Sequence, residues 1–336
     1  MRIAVDGMGG DHAPAVVVEG VADALKRYHG IEILLVGHEK KLAPFLRKHH
    51  LTNHPSLKVV HAEEVVEMHE SSTVAIRAKK NSSITVAATL VSKGEADALV
   101  SAGHTGAAVA ATKVKMRMLP GVDRPAIAII MPAQQGPFIM LDAGANIDCK
   151  PIHLAQFAVM GEAFARLAFS TLRPRIGLIS VGEEDVKGND LTKEAFKLLS
   201  DMPINFIGNV EGNAIFDKAA DVVLCDGFIG NVLLKSTESM ARAAMFWMKE
   251  AFTKNPLRKT GAILLKNAFR ELKSIGDSEE YGGARLLGVN GICIIGHGSS
   301  SPKAIRNAIR VAEESVKFGI NKHITESIAE AGIAVN

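Results

Sequence analysis

The 336-residue chain has few of the features that mark secreted, zinc-binding or nucleic-acid-binding proteins. Its three cysteines, Cys149, Cys225 and Cys293, lie far apart. They exclude a disulfide framework and a paired-cysteine zinc site, and they indicate a reducing compartment. A count of 39 basic against 36 acidic residues is too balanced for a protein that binds nucleic acid. With no signal peptide before Asp6 and no apolar run near ~20 residues, we expect a soluble, cytoplasmic protein, at most peripheral to a membrane.

Aromatic residues are also scarce, at 5% of a chain that is 47% hydrophobic. The core must therefore be built from Ala, Val, Ile and Leu, which is typical of a buried sheet covered by helices in an α/β protein. Two apolar strands, 126–131 and 138–141, are so close in sequence that we predict an antiparallel pair and hence a mixed sheet. No repeat or linker divides the chain, so we expect one unit over residues 1–336.

The most informative stretch is 98–111, in which an apolar strand, a loop with two glycines and an alanine-rich helix follow one another. Such a junction collects free backbone N–H groups at the positive end of a helix dipole. It suits a phosphate or a developing oxyanion. Glycines that only make a tight turn are the alternative explanation for this loop.

Similar polar loops follow other predicted strands. They begin near residues 6, 142, 182, 208, 225 and 296. Because loops at the carboxyl ends of strands in an open α/β sheet share one edge, we predict that they line a single polar crevice.

Several common chemistries are absent from these loops. The chain has no Walker motif and no Gly-x-Ser-x-Gly nucleophile elbow. Residues 296–301 approach a dinucleotide fingerprint, but no βαβ unit follows them. Cys149 and Cys225 are interpreted as packing residues because no basic partner adjoins them. What remains is a crevice that binds anions through backbone donors, two lysines and several imidazoles, with no metal or cofactor.

Four residues in these loops are candidates for catalysis: His104, Lys187, Lys235 and His297. Acidic loop residues could orient the cations, although capping of helices is the alternative role. The candidates for binding phosphate or substrate are Asp6, Gly7, Gly9, Gly10, Ser101, Gly103, Thr105, Gly106, Asp142, Asn146, Glu183, Asn209, Glu211, Asp226 and Asn231.

Taken together, the loops resemble one family, the bacterial PlsX-type phosphate acyltransferases, over essentially the whole chain. Seven motifs in the same order carry the resemblance. They are Asp6-Gly-Met-Gly-Gly-Asp-His-Ala-Pro14, Ser101-Ala-Gly-His-Thr-Gly106, Asp142-Ala-Gly-Ala-Asn-Ile-Asp-Cys149, Val181-Gly-Glu-Glu184, Gly208-Asn-Val-Glu-Gly212, Cys225-Asp-Gly-Phe-Ile-Gly-Asn231 and Gly291-Ile-Cys-Ile-Ile-Gly-His-Gly-Ser-Ser300.

The resemblance implies transfer of a long fatty acyl chain from acyl carrier protein to inorganic phosphate. The acyl phosphate would serve a membrane glycerol-3-phosphate acyltransferase in phospholipid synthesis. It also implies a homodimer and a three-layer αβα fold like isopropylmalate and isocitrate dehydrogenases and phosphotransacetylase, with a large mixed sheet and two closely joined lobes. We expect phosphate to attack the thioester directly, with His104 or His297 and backbone N–H groups stabilising the oxyanion.

A helical stretch over 239–273, broken at Asn255-Pro256, forms a predicted protruding hairpin. Its second part carries apolar residues at helical spacing beside a basic face, as in helices that lie on an anionic membrane or bind an acidic protein. The candidates for contact with a membrane or carrier protein are Lys254, Leu257, Arg258, Lys259, Leu264, Lys266 and Arg270. A dimer interface or core helix pair is the alternative, which we favour for 239–252.

Three other functions stay open at this point. One is transfer from a short acyl-coenzyme A, as in phosphotransacetylase. Another is a metal- and NAD-dependent decarboxylating dehydrogenase on the same fold. The last is a non-catalytic scaffold for lipid enzymes.

Overall fold

The structure, a computed structural model, describes residues 1–67, 69–275 and 279–333. The strands are β1 (Arg2–Asp6), β2 (Glu32–Gly37), β3 (Leu57–His61), β4 (Ala98–Ser101), β5 (Ala126–Met131), β6 (Phe138–Leu141), β7 (Ile176–Ser180), β8 (Phe206–Glu211), β9 (Val222–Leu224), β10 (Ala284–Leu287) and β11 (Ile292–Ile295).

The helices alternate with these strands along most of the chain. They are α1 (Ala15–Arg27), α2 (Glu39–Lys48), α3 (Ser72–Ala78), α4 (Ser83–Ser92), α5 (Thr105–Lys115), α6 (Pro151–Phe169), α7 (Asp190–Ser200), α8 (Gly227–Thr253), α9 (Pro256–Leu264), α10 (Lys266–Ile275), α11 (Pro302–Lys317) and α12 (Ile320–Glu330).

All described strands form one sheet in the order β3-β2-β1-β4-β11-β10-β5-β6-β9-β7-β8. β5 and β6 pair antiparallel, as predicted, and β10 is antiparallel to both of its neighbours. The remaining pairs are parallel. The sheet is therefore mixed, and its two halves run in opposite directions.

Helices cover both faces of this sheet and make three layers, which confirms the predicted αβα class. Alternate residues of β1 point to opposite faces, because side chains alternate along a strand. Ile3 and Val5 pack with α1 and α11, whereas Ala4 packs with α4 and α5. Over the other half, α6, α7 and α12 cover the inward residues of β6 and β9. The core is largely aliphatic, as the composition requires.

Two predicted boundaries are wrong. We expected a strand to end at Ile207 and a loop to follow, but β8 continues to Glu211, so Asn209 and Glu211 lie in a strand. Gly208, with φ +96°, gives the backbone the irregularity that lets the strand continue. The helical pattern after Pro256 is also divided into α9 and α10, with the break at Leu265.

Helices α8, α9 and α10 form an arm whose C-terminal part has little contact with the sheet. Asn255 caps α9 by accepting a hydrogen bond from the Arg258 N–H at 2.9 Å, and Pro256 occupies the first turn. This confirms the predicted break. Phe252 and Phe269 pack edge to face at 4.9 Å and hold the arm together. Within the described residues, no helix has both the length and the apolarity needed to cross a bilayer.

Candidate active site

Three of the predicted loops lie together at one edge of the sheet. They follow β1, β4 and β11, which are adjacent and parallel, and comprise residues 6–14, 101–106 and 296–301. We call them the first loop group. The Asp11 N–H donates to the Gly298 carbonyl at 2.8 Å, and the Gly296 N–H donates to the Ser101 carbonyl at 2.8 Å. These bonds fix the three loops relative to one another.

Glycine is required where the first loop approaches the second. A Cβ on Gly9 would lie 2.6 Å from Asp6 Oδ2 and 2.8 Å from the Gly103 nitrogen. Only a residue without a side chain permits this approach of two backbones. Gly7 was also predicted to bind phosphate or substrate. Its surroundings are different from those of Gly9, because Leu35, Val36 and Leu42 enclose it inside the fold.

Asp6 lies at the bottom of this group with its side chain buried (3% exposed). Its Oδ2 accepts a hydrogen bond from Ser101 Oγ at 2.8 Å, and its Oδ1 accepts one from the Met8 N–H at 3.2 Å. Burial raises the pKa of Asp6 above its ordinary value, although the Ser83 and Ser101 hydroxyls and the Met8 and Gly9 amides oppose that rise.

His104 is the N-cap of α5, a role that the sequence analysis did not assign. Its Nδ1 accepts a hydrogen bond from the Ala107 N–H at 3.3 Å. In the same way, Nδ1 of His297 accepts from the Ser299 N–H at 3.2 Å. Because Nδ1 of each ring accepts a hydrogen bond, the geometry places a ring proton on Nε2, from which it can be donated to a ligand. Thr105 and Gly106 begin α5, where N–H groups have no acceptor within the helix.

The recess beneath these loops has walls that the sequence analysis missed. Asp6, Ser101, Gly103 and His104 line it together with Val65, Val66, Ser83, Ile84, Gly9 and Ala107. The Ser83 N–H donates to the Glu64 carbonyl at 3.0 Å, which places the 62–66 segment beside the start of α4. No glycine-rich loop marks this segment, so only the paired Ser82-Ser83 at the start of a helix could have indicated it. The recess therefore joins a polar floor to an apolar wall.

The other predicted loops lie at the opposite edge of the sheet. They follow β6, β7 and β9 and comprise residues 142–151, 181–190 and 225–231, which we call the second loop group. Because β10 and the β5–β6 pair reverse the strand direction, the carboxyl ends of these strands face away from the first loop group. The prediction of one crevice lined by all the loops is therefore wrong for a single chain.

Asp142 organises the second loop group. Its Oδ1 accepts hydrogen bonds from the N–H groups of Ile127, Gly144 and Ala145, and its Oδ2 accepts two from Asn146, all at 2.8–3.1 Å. Asp142 is fully buried, and Asn146 is nearly so. The Asp142 carboxylate and the side-chain nitrogen of Asn146 are thus committed to loop structure.

The start of α8 packs against this loop. Asp226 is the N-cap of α8 and accepts a hydrogen bond from the Ile229 N–H at 2.9 Å. Asn231 lies beside Gly144. Burial and two nearby carboxylates raise the pKa of Cys149 to about 12, and the same effects raise that of Cys225 well above its usual value. Neither thiol is suited to act as a nucleophile, which agrees with the predicted packing role.

The remaining predicted residues lie near this group, and all but the buried Asn209 are at least partly exposed. Lys187 pairs with Glu184 at 3.9 Å, and Lys235 pairs with Glu238 at 3.1 Å. Both lysines are more than two fifths exposed. Asn209 Nδ2 donates to the Glu184 carbonyl at 2.9 Å, while Glu183 is exposed and Glu211 half-buried. Within one chain these residues belong to strands and loops that run opposite to β4 and its loop with His104.

Comparison with known proteins gives the same family that the loop motifs resemble. A model of the family described as "Fatty acid synthesis protein" matches residues 1–323. The chain is 50% identical over 329 residues to a "Phosphate acyltransferase" from Desulfitobacterium hafniense, covering 98% of each chain. It is 48% identical over 330 residues to a "Phosphate acyltransferase" from Pelobacter propionicus, covering 98% of this chain and 95% of that protein.

The chain belongs to this family. It is an acyltransferase of the PlsX type, as its seven loop motifs indicated. A solved structure, "EutD phosphotransacetylase from Staphylococcus aureus", matches over 94% of both chains with a TM-score of 0.57 at 16% identity. At that identity the match supports the fold alone, and it agrees with the predicted phosphotransacetylase-like architecture.

Proposed function

We propose that the chain transfers a long-chain acyl group from acyl carrier protein to inorganic phosphate, giving acyl phosphate for phospholipid synthesis. The observation that carries the proposal is the first loop group itself. There the free N–H groups of α5, the Nε2–H of His104 and a recess with an apolar wall meet at one edge of the sheet. Relatives about half identical along nearly the whole chain are named for phosphate acyl transfer.

The proposed mechanism is direct attack. Phosphate is held by the 101–106 loop, and one of its oxygens forms a bond to the thioester carbonyl carbon. The carbon–sulfur bond breaks, and the carrier thiol leaves with the proton that phosphate brought. The Nε2–H of His104 or His297 and the backbone N–H groups that phosphate leaves unused stabilise the oxyanion, a contribution that is about 3 kcal/mol per donor in comparable sites. We do not assign Lys187 and Lys235 to this phosphate, because they lie with the second loop group.

The function is tested by incubating the protein with palmitoyl-acyl carrier protein and phosphate and trapping acyl phosphate as the hydroxamate. We expect hydroxamate that depends on both substrates, and a much lower rate with acetyl-coenzyme A. A higher rate with acetyl-coenzyme A would instead favour the phosphotransacetylase-like alternative. No hydroxamate from either donor would overturn the proposal.

Two His104 variants serve as matched controls in this assay. Asparagine is a good N-cap, so His104→Asn keeps the cap and removes the Nε2 donor, whereas His104→Ala removes both. We expect about a 100-fold lower kcat in both variants but a loss of stability of about 1 kcal/mol only in His104→Ala. A His104→Asn variant with normal kcat would exclude His104 from the chemistry.

The proposal includes a homodimer. The exposed side of α8 carries Phe228 (59% exposed) and Val232 (50% exposed), and Phe246 and Trp247 follow on the same helix. An apolar surface of this kind on one long helix is typical of a protein interface. A second copy of the chain would cover it.

We also propose that the tip of the arm binds the membrane or the acidic carrier protein. Leu257 (83% exposed) and Leu264 (82% exposed) protrude beside Lys254, Arg258, Lys259 and Lys266. The side chain of Arg270, predicted to join them, lies outside the described residues. Apolar side chains flanked by basic residues bind anionic interfaces.

Co-sedimentation with anionic vesicles tests the membrane as a partner, separately from the carrier protein. The double variant Leu257→Glu, Leu264→Glu should lose most vesicle binding, because charged side chains replace the apolar residues that would enter the lipid. Leu172→Glu is the matched control, since Leu172 is 89% exposed and lies in the connection between α6 and β7, which is not part of the arm. Vesicle binding by the double variant equal to that of the wild type would exclude the membrane role.

A further inference from the structure

A buried carboxylate lies at the floor of the recess in which phosphate is proposed to bind. The Asp6 side chain lines the same recess as Ser101, Gly103 and His104. An anion placed there would meet a negatively charged or protonated group as well as the N–H donors. The site must therefore recognise an anion that tolerates the Asp6 side chain as a neighbour.

No cation compensates Asp6 directly. Among the described residues, the groups that act on its carboxylate are the hydroxyls of Ser83 and Ser101 and the amides of Met8 and Gly9, and no Lys, Arg or His pairs with it. The Ser101 hydroxyl proton is committed, because Oγ donates it to Asp6, and the same Oγ accepts from the Gly103 N–H at 3.2 Å. The floor of the recess therefore presents hydrogen-bond acceptors, whereas His104 and the start of α5 present donors.

This arrangement fits an anion that is itself both a donor and an acceptor. Two unprotonated oxygens, one on Asp6 and one on the anion, would repel each other at hydrogen-bond distance. A P–OH group in the same place would make a short hydrogen bond to the carboxylate of the kind that charge strengthens. Near neutral pH, orthophosphate and arsenate each carry a proton, whereas sulfate and selenate carry none.

We propose that Asp6 is the specificity-determining residue of the phosphate site, accepting a hydrogen bond from a P–OH group and thereby excluding sulfate. The inference rests on the proposed function, which places phosphate in the first loop group. The ionised phosphate oxygens face the N–H groups of Thr105 and Gly106, which leaves the Nε2–H of His104 for the oxyanion. Burial favours a shared proton between Asp6 and the anion.

The test is a calorimetric titration of inorganic phosphate, arsenate and sulfate into the wild-type protein and two variants. We expect the wild type to bind phosphate and arsenate at least about 100-fold more tightly than sulfate, since a buried acceptor left without its donor is strongly unfavourable. In Asp6→Asn, an amide can donate to an anion oxygen, and the preference should fall below about tenfold. Glu95→Gln makes the same change of carboxylate to amide at an exposed residue before β4, at the opposite end of that strand from the recess, and should retain the wild-type preference.

Sulfate binding to the wild type as tight as that of phosphate would overturn the inference without need of any variant. An unchanged preference in folded Asp6→Asn would also overturn it. Either result could occur while palmitoyl-acyl carrier protein and phosphate still give acyl phosphate, in which case the proposed function stands. Conversely, anion selectivity without acyl phosphate would remove the proposed function and leave the phosphate site.

Discussion

Asp6→Asn is expected to give a protein that is more stable than the wild type at neutral pH and at least about 100-fold less active. A carboxylate buried without a cation is unfavourable for folding, and an amide of the same shape removes that cost. The amide can donate to Ser101 Oγ, because the carboxylate that takes up the Ser101 hydroxyl proton in the wild type is then absent. Activity falls because the acceptor for the phosphate proton is lost.

The raised pKa of Asp6 determines how the stability of the wild type changes with pH. The native pKa of Asp6 lies above the 3.8 of an unperturbed aspartate, so between these two values the folded protein holds a proton that the unfolded chain has released. Wild-type stability therefore falls as pH rises through this window, and the loss is complete above the native pKa. Asparagine does not titrate, so its advantage should grow over the same window to about 1 kcal/mol or more.

Thermal unfolding of both proteins at pH 4.5 and pH 7.5 measures the effect. The variant should gain relative to the wild type at the higher pH. A variant less stable at both pH values would show that the Asp6 side chain supports the fold, and it would contradict a carboxyl group that is kept for binding at a cost in stability.

The sequence predicted the local elements of the site better than their arrangement. β5 and β6 match the predicted ranges residue for residue, since their apolar runs end at turn residues. The 101–106 junction was likewise predicted as strand, loop and helix. In both cases the signal is contained in a few consecutive residues.

The error lay in the direction of the strands. An antiparallel β5–β6 pair reverses the chain, and the later strands β7, β8 and β9 keep the reversed direction. Hydrophobic pattern reveals a strand but not which way it runs in the sheet. The loops were therefore predicted correctly as polar loops that follow strands. The prediction that they share one edge is wrong, because a single chain places them at two opposite edges of the sheet.

The missed strand β10 has a specific physical reason. Its Arg285 interrupts an otherwise apolar run, yet the side chain is buried (8% exposed). The guanidinium lies 4.7 Å from the Phe164 ring centroid and donates to Ser315 Oγ at 3.1 Å. These partners come from α6 and α11, so no local pattern shows that an arginine belongs in this strand.

Gly230→Ala is expected to destabilise the protein by about 3 kcal/mol or more, a large effect for a single methyl group. Gly230 lies in the first turn of α8, where its backbone packs directly on the loop that Asp142 organises. An added Cβ would lie well inside van der Waals contact with the Asp142 carbonyl oxygen and 2.9 Å from Cys225 Sγ. The obstacle is backbone, so no rotamer change can relieve it.

Gly261→Ala is the matched control, because Gly261 also lies in a helix but has no atom within 4 Å of an added Cβ. There, alanine should be neutral or stabilise by up to about 1 kcal/mol, through its higher helix propensity. The free energies of urea unfolding of the two variants distinguish the effect of the steric clash at Gly230 from the effect of helix propensity. Equal stabilities would mean that α8 can move away from the Asp142 loop at little cost, and that the second loop group is not held rigidly by α8. A large difference would show that the position of α8 is set by the contact of two backbones, which only glycine permits.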